Sequence, residues 1–298
     1  MADIDYFGFL PIAENIKFSS GQIVASPEIT SIIEKTHKLA CQDGFIYPPL
    51  LHGADVTSGY DPQKSSDIFP PIFYCHVPTT HSLEFVRPLE SMQDARRSLS
   101  GFIIHFLGFL YGYRIQFYDW WFDGRIQVKS TCTQIQPRST QAAAILDKAI
   151  KTWLQWGPRK QQIATNILYL HSKTPSYKSD WERFQTEYQI IDAICFLANV
   201  SNHSHSQRIK KLCEKYSIIV DNEKFEAVKT LRNDLFHEAL WEKGMLGDIG
   251  SHTSINSPNW LHKISKRAIF AVLGINGKYV ESDWQSRWPE AFDISMKN

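Results

Sequence analysis

The sequence has few cysteines, no excess of charge of either sign and no hydrophobic segment long enough to cross a membrane. Its 298 residues include five scattered cysteines and no C-x-x-C pair, so neither a disulfide framework nor a structural zinc ribbon is expected. Lysine and arginine total 32 against 31 acidic residues, which excludes a polycation that binds nucleic acid by overall charge. The N-terminus lacks the basic residues of a signal peptide. These absences predict a cytoplasmic protein with no membrane association.

The most apolar stretch runs from Leu99 to Tyr113 and is interrupted by His105. It is shorter than the roughly 18 residues that a bilayer span needs, so we interpret it as a helix buried in the protein core. Hydrophobic residues make up 43% of the chain, which is enough to form a substantial core.

The sequence pattern changes near residue 138. Residues 1–138 contain short β-prone segments separated by proline and glycine, with helical periodicity only near Ile29–Ala40. Two of these segments flank Asp123-Gly124, which predicts a hairpin. Residues 139–298 contain long segments with the hydrophobic period of helices. The sequence therefore predicts an α+β protein, with a mixed α/β N-terminal region of unknown role followed by an all-α helical bundle.

Several common catalytic motifs are missing from the sequence. It has no P-loop, no G-x-S-x-G and no G-x-G-x-x-G after a strand. His203 and His205 offer two imidazoles to a metal ion, but no third ligand lies at a recognisable spacing, and zinc normally takes three or four. A solvated loop explains this pair better. The cysteines lie mostly in apolar segments, which favours core packing over a nucleophilic thiol.

The segment Asn222–Lys243 is predicted to be a helix with two distinct faces. At about 100° per residue, its apolar side chains form one arc, made up of Phe225, Val228, Leu231, Leu235 and Ala239. Asn233 and His237 are four residues apart and share a face roughly opposite this arc. We therefore expect His237 to point away from the core of its own helix.

Arg232 lies at the edge of the same apolar arc. A partly buried guanidinium keeps its charge and needs a carboxylate or other acceptors. The preceding predicted helix, Trp181–Val200, carries Glu187 within its apolar arc and Asp192 at the border of that arc. We therefore predict that one of these two acids pairs with Arg232 and supports the site.

The stretch from Arg232 to His237, RNDLFH, resembles the R-x(4–6)-H signature of HEPN domains, including the polar residue that follows the arginine. The segment WERFQTEYQIIDAICFL is similar to their acid-bearing second helix, with Asp192 or Glu187 as the acid. The resemblance covers residues 139–298 only. It implies a helical bundle that pairs as a homodimer and brings two motifs to a shared cleft.

The resemblance also implies a metal-independent endoribonuclease without a cofactor, of the kind found in bacterial antiviral defence and toxin systems. His237 would exchange protons near neutral pH, and Arg232 would hold the phosphate and its growing charge. Asn233 would donate an oriented hydrogen bond while the RNA 2′-OH attacks the adjacent phosphate. Lys210 and Lys211 belong to a local basic cluster that could contact the RNA substrate.

Two alternatives stay open at this point. A non-catalytic HEPN-like module would bind a nucleotide or a partner protein, and the near-zero net charge favours it slightly because RNA affinity depends on basic contacts. An unrelated metal-dependent hydrolase would use His203 and His205. RNA cleavage in excess EDTA would exclude both alternatives.

Overall fold

A computed structural model describes residues 4–40, 44–46, 78–85, 97–117, 125–129, 137–200, 204–246 and 252–281. The strands of this described part are Ile4–Gly8 (β1), Ile16–Phe18 (β2), Gly21–Ala25 (β3), Phe45–Ile46 (β4), His81–Phe85 (β5), Gln116–Phe117 (β6) and Ile126–Gln127 (β7). The helices are Ile29–Leu39 (α1), Leu99–Tyr111 (α2), Ser139–Leu154 (α3), Pro158–Lys173 (α4), Asp180–Leu197 (α5), His205–Tyr216 (α6), Asn222–Glu238 (α7), His252–Val272 (α8) and Lys278–Glu281 (α9). The predicted α+β class is confirmed, with an antiparallel sheet region followed by a helical region.

The main sheet has five antiparallel strands in the order β2-β3-β5-β1-β6. Buried and more exposed residues alternate along β2 and β5, as expected when one face of a sheet packs on a core. A separate two-stranded sheet pairs β4 with β7. The described segments before and after Asp123-Gly124 thus pair with different strands, and these two residues themselves lie outside the described part of the chain.

Helix α2 is the buried helix that the apolar stretch predicts. All of its residues from Ser100 to Tyr111 are buried. It ends at Gly112, which adopts a left-handed conformation at φ 73°, a conformation that suits glycine. The helix packs against α4 and α3, and the ring centroids of Phe102 and Trp153 lie 5.3 Å apart. The hydrophobic core is therefore continuous across residue 138.

The helical region is organised around α5, which packs against α4, α6 and α8. Two boundaries differ from the sequence-based expectation. Helix α7 ends at Glu238, before Lys243, because Ala239 turns to a left-handed conformation at φ 55°. Helix α8 begins well before Pro258, which lies inside it. No helix in the described ranges is long and apolar enough to span a membrane.

The two cysteines within the described ranges, Cys195 and Cys213, are buried free thiols. Burial raises the pKa of each thiol to about 12, so both stay protonated and unreactive near neutral pH. This placement agrees with the core role expected for cysteines in apolar segments. Cys41, Cys75 and Cys132 lie outside the described residues.

Buried histidines make the fold sensitive to acid. Burial lowers the pKa of His81 and His105 to about 4 and that of His171 well below its usual value. The unfolded chain takes up protons on these imidazoles below about pH 6.5, whereas the folded chain does not. His81 and His105 therefore each reduce the free energy of unfolding by up to about 1.4 kcal/mol per pH unit as pH falls from about 6.5 towards 4.

Urea denaturation at pH 7, 6 and 5 tests this expectation with His105→Gln as the comparison variant. In this variant, which lacks one buried imidazole, the free energy of unfolding should fall less between pH 6 and 5 than in the wild type, by up to about 1.4 kcal/mol per pH unit. Parallel pH profiles for the wild type and the variant would contradict a proton-linked role of His105.

Candidate active site

Helix α7 positions the motif that resembles the HEPN signature. Its N-terminus is capped by the Asp221 side chain, which accepts hydrogen bonds from the backbone N–H groups of Glu223 and Lys224, a strong start signal for a helix. Its buried apolar side chains are Phe225, Val228 and Leu231. The cap and this apolar stripe together set which face of α7 points outward.

Arg232 and His237 are in direct contact on that helix. The Arg232 Nη1 atom lies 2.7 Å from His237 Nε2 and donates to Asn233 Oδ1 at 3.2 Å. Because an arginine nitrogen only donates, His237 Nε2 accepts this hydrogen bond and the ring proton is assigned to Nδ1. Asn233 and His237 are exposed and Arg232 is half-buried, as their helical angles predict. The structure therefore brings the three residues of the predicted site together.

Two aromatic rings hold the guanidinium of Arg232. Its central carbon lies 5.9 Å from the ring centroid of Tyr188 on α5 and 5.3 Å from that of Phe236. The two ring centroids are 5.8 Å apart, and each geometry lies within the range of a cation–π interaction. Burial, aided by the charge of Asp192, raises the pKa of Tyr188 to about 12, so this ring is neutral. We call Tyr188, Arg232 and Phe236 the aromatic clamp.

The predicted ion pair between Arg232 and an acid of α5 is not formed. Asp192 Oδ1 lies 3.4 Å from Arg208 Nη1 on α6, and Glu187 Oε1 lies 2.7 Å from His262 Nδ1 on α8. Among the described residues, Arg232 has no carboxylate within ion-pair distance. The physical reason is that α5 presents Tyr188 to α7, whereas Glu187 and Asp192 on the same helix face α8 and α6.

A pocket of about 190 Å³ opens beside this guanidinium. Its walls are formed by Tyr188, Ile209, Phe225, Val228, Lys229, Arg232 and Asn233. It thus combines aromatic rings with two cationic side chains and one amide, a lining suited to an anionic ligand that carries an apolar or aromatic group. Sequence analysis missed Lys229, although its spacing of three and four residues from Arg232 and Asn233 places it on their face.

Lys210 and Lys211, the two lysines of the basic cluster on α6, have different surroundings. Lys210 Nζ lies 4.8 Å from the ring centroid of Phe225 and 3.8 Å from Glu226 Oε1, so Lys210 contacts a residue of the pocket wall. Lys211 Nζ pairs with Glu214 on its own helix at 3.0 Å and is not one of the pocket residues. Of the two predicted RNA contacts, the structure brings Lys210 close to the pocket.

The H-x-H pair is only partly within the described chain. His203 lies outside it, and His205 begins α6 with a side chain whose surroundings are outside the description as well. The interpretation of this pair as a solvated loop therefore stays a prediction for His203, whereas His205 belongs to α6.

No protein-family model, curated protein or solved structure matches this chain. The candidate site consists of the motif on α7, the aromatic clamp and the pocket beside them.

The exposure of His237 predicts that it contributes little to stability. We expect His237→Ala to change the free energy of unfolding by no more than about 0.5 kcal/mol, as for other exposed side chains. Leu231→Ala, on the buried stripe of the same helix, should cost about 2–5 kcal/mol. Chemical denaturation of both variants measures this contrast, and a cost for His237→Ala similar to that of Leu231→Ala would place the imidazole in the structural core instead.

Proposed function

We propose that this protein is a metal-independent endoribonuclease of HEPN type, cytoplasmic and homodimeric, acting in bacterial antiviral defence or a toxin-like system. The observation that carries the proposal is the pairing of Arg232 with His237 at the rim of a pocket. An imidazole and a cation in contact can supply a proton acceptor and charge stabilisation, two functions that promote phosphodiester cleavage by the RNA 2′-OH.

The charge of Arg232 supports a role in phosphate binding. Its guanidinium faces two aromatic rings and has no carboxylate within ion-pair distance in the described chain. A phosphate diester would provide the missing negative charge, and its oxygens match the planar fork of a guanidinium. Lys229 at the pocket wall adds a second cation, and the rings of Tyr188 and Phe225 offer surfaces on which a base can stack.

The cleavage step follows from these groups. The 2′-oxygen of one nucleotide attacks the adjacent phosphorus, and the bond from phosphorus to the 5′-oxygen of the next nucleotide breaks. A base accepts the 2′-OH proton, and the departing 5′-oxygen gains a proton from an acid or from water. The products are a 2′,3′-cyclic phosphate and a 5′-hydroxyl. Arg232 stabilises the charge on the non-bridging oxygens during this exchange.

In the absence of RNA, the imidazole of His237 is hydrogen-bonded to Arg232. Its Nε2 accepts a hydrogen bond from Arg232. This nitrogen can therefore take up the proton of the RNA only after a stronger hydrogen-bond acceptor has replaced it at the guanidinium. A phosphate oxygen is such an acceptor because its hydrogen bond to arginine is charge-assisted. Substrate binding would therefore release His237 Nε2 to take the 2′-OH proton, and Asn233 would be free to donate its amide N–H to the phosphate.

Exposed apolar side chains near the end of α7 support the homodimer. Phe236 is 44% exposed, and Met245 and Leu246, which follow the helix, are 74% and 42% exposed. We expect these three side chains to form one apolar patch, a feature that is typical of protein–protein contacts. A second copy that covers this end of α7 would bring two His237 side chains towards one cleft.

Cleavage of a labelled RNA in excess EDTA tests the proposal. We expect the wild type to cut, and His237→Ala to lower the rate by about 10²–10⁴ because the proton-transfer group is lost. Arg232→Ala should lower it by at least about 10²-fold through loss of charge stabilisation. Circular dichroism of each sample in the same EDTA buffer confirms that the protein is folded during the assay.

Glu238→Ala is the matched control, because Glu238 is exposed and adjacent to His237. It should retain the wild-type rate. Cleavage by folded His237→Ala at the wild-type rate would remove the ribonuclease assignment from this site. Tight RNA or nucleotide binding without cleavage would favour the non-catalytic binding module.

A further inference from the structure

A second cluster of ionisable side chains lies in the core, away from the pocket. It consists of His171 on α4, Glu187 on α5 and His262 on α8, which each offer one ligand atom within 4.8 Å of the other two. His262 Nδ1 lies 2.7 Å from Glu187 Oε1. The two imidazoles are stacked, with ring centroids 3.9 Å apart and an interplanar angle of 20°.

The carboxylate of Glu187 is incompletely satisfied. Its side chain is 0% exposed. The side chains of Ser265 and Thr174 favour its charged form, but its second oxygen, Oε2, makes no hydrogen bond of standard geometry. A buried acceptor without a partner costs about 1–3 kcal/mol, and more when the group is charged. The carboxylate offers a ligand atom within 4.8 Å of those of two imidazoles, so a cation held between the three groups would offset its buried charge.

Both imidazoles are neutral at physiological pH, which metal coordination requires. Burial, reinforced by the nearby charges of Lys266, Arg183 and Lys263, lowers the pKa of His262 to about 3, and burial lowers the pKa of His171 as well. The cations that face the cluster oppose a further positive charge.

The ligand set selects the class of metal. Two imidazoles and one carboxylate are the ligands of three-residue zinc sites, which leave a fourth position for water, whereas magnesium and calcium prefer oxygen ligands alone. Zinc bonds of about 2.0–2.2 Å in a tetrahedron place ligand atoms about 3.3–3.5 Å apart. Binding therefore requires His262 and Glu187 to separate slightly and the two rings to leave their stack. The His262 side chain is 25% exposed, so one of the three ligands reaches the protein surface.

We propose that His171, Glu187 and His262 bind one zinc-class transition-metal ion that ties α4, α5 and α8 together. The proposal is independent of the ribonuclease function, since none of the three residues belongs to the motif or lines the pocket. The ion would lie apart from the pocket, so RNA cleavage would need no metal at the phosphate.

Metal titration of the full chain, stripped by a chelator and without RNA, tests this proposal. We expect one Zn²⁺ per chain by elemental analysis and a higher melting temperature with Zn²⁺. Bound Co²⁺ should give the visible absorption bands that are typical of tetrahedral coordination. His262→Ala should weaken affinity by more than about 100-fold, because changes even outside the ligand sphere cost about 10–100-fold. Glu187→Gln, which preserves the side chain's shape, should also lose the ion.

Two controls separate this site from other histidines. His237→Ala removes an exposed imidazole on α7, and His205→Ala disrupts the H-x-H pair; both should retain one Zn²⁺ per chain. If Glu187→Gln fails to fold, metal binding at this site is tested by the affinity of His262→Ala and by the cobalt spectrum of the wild type. No stoichiometric binding by the stripped wild type, or unchanged binding by folded His262→Ala, would overturn the proposal.

Discussion

Helix α5 is packed against α4, α6 and α8, and this packing determines what each of its polar residues can reach. Glu187 and Tyr188 are consecutive, so they point about 100° apart around the helix axis. Glu187 is directed at the histidines of α4 and α8, and Tyr188 is directed at Arg232 on α7. Helix α5 therefore contributes one residue to the aromatic clamp and one to the cluster of His171, Glu187 and His262. A rotation of α5 that brought Glu187 to Arg232 would remove Tyr188 from the aromatic clamp.

The same constraint explains why Arg232 has no carboxylate within ion-pair distance among the residues that the structure describes. Asp192 is engaged by Arg208, and Glu187 is engaged by His262, so the guanidinium is held by aromatic faces and by His237. Aromatic rings orient a cation without neutralising it. Under the proposed function, an RNA phosphate would supply the negative charge and would replace His237 as the acceptor of the Arg232 hydrogen bond.

The sequence predicted features that depend on local periodicity and failed on those that depend on how helices pack. The buried helix α2, the apolar stripe of α7 and the outward direction of His237 all follow from the hydrophobic pattern of single segments. The partner of Arg232 does not, because a helical angle shows that an acid lies near an interface and not which neighbouring helix it faces. His171 and His262 come from segments about 90 residues apart, so no spacing rule could join them to Glu187.

The chemical nature of the cleaved ends tests the central claim most directly. An RNA that carries a single 2′-deoxy nucleotide at the cut position is incubated with the protein in EDTA, beside the all-ribose strand. Attack by the neighbouring 2′-OH predicts that the all-ribose strand yields a 2′,3′-cyclic phosphate by mass spectrometry and that the 2′-deoxy linkage stays intact. Cleavage of the 2′-deoxy linkage, or products with a 3′-hydroxyl and a 5′-phosphate, would contradict the account.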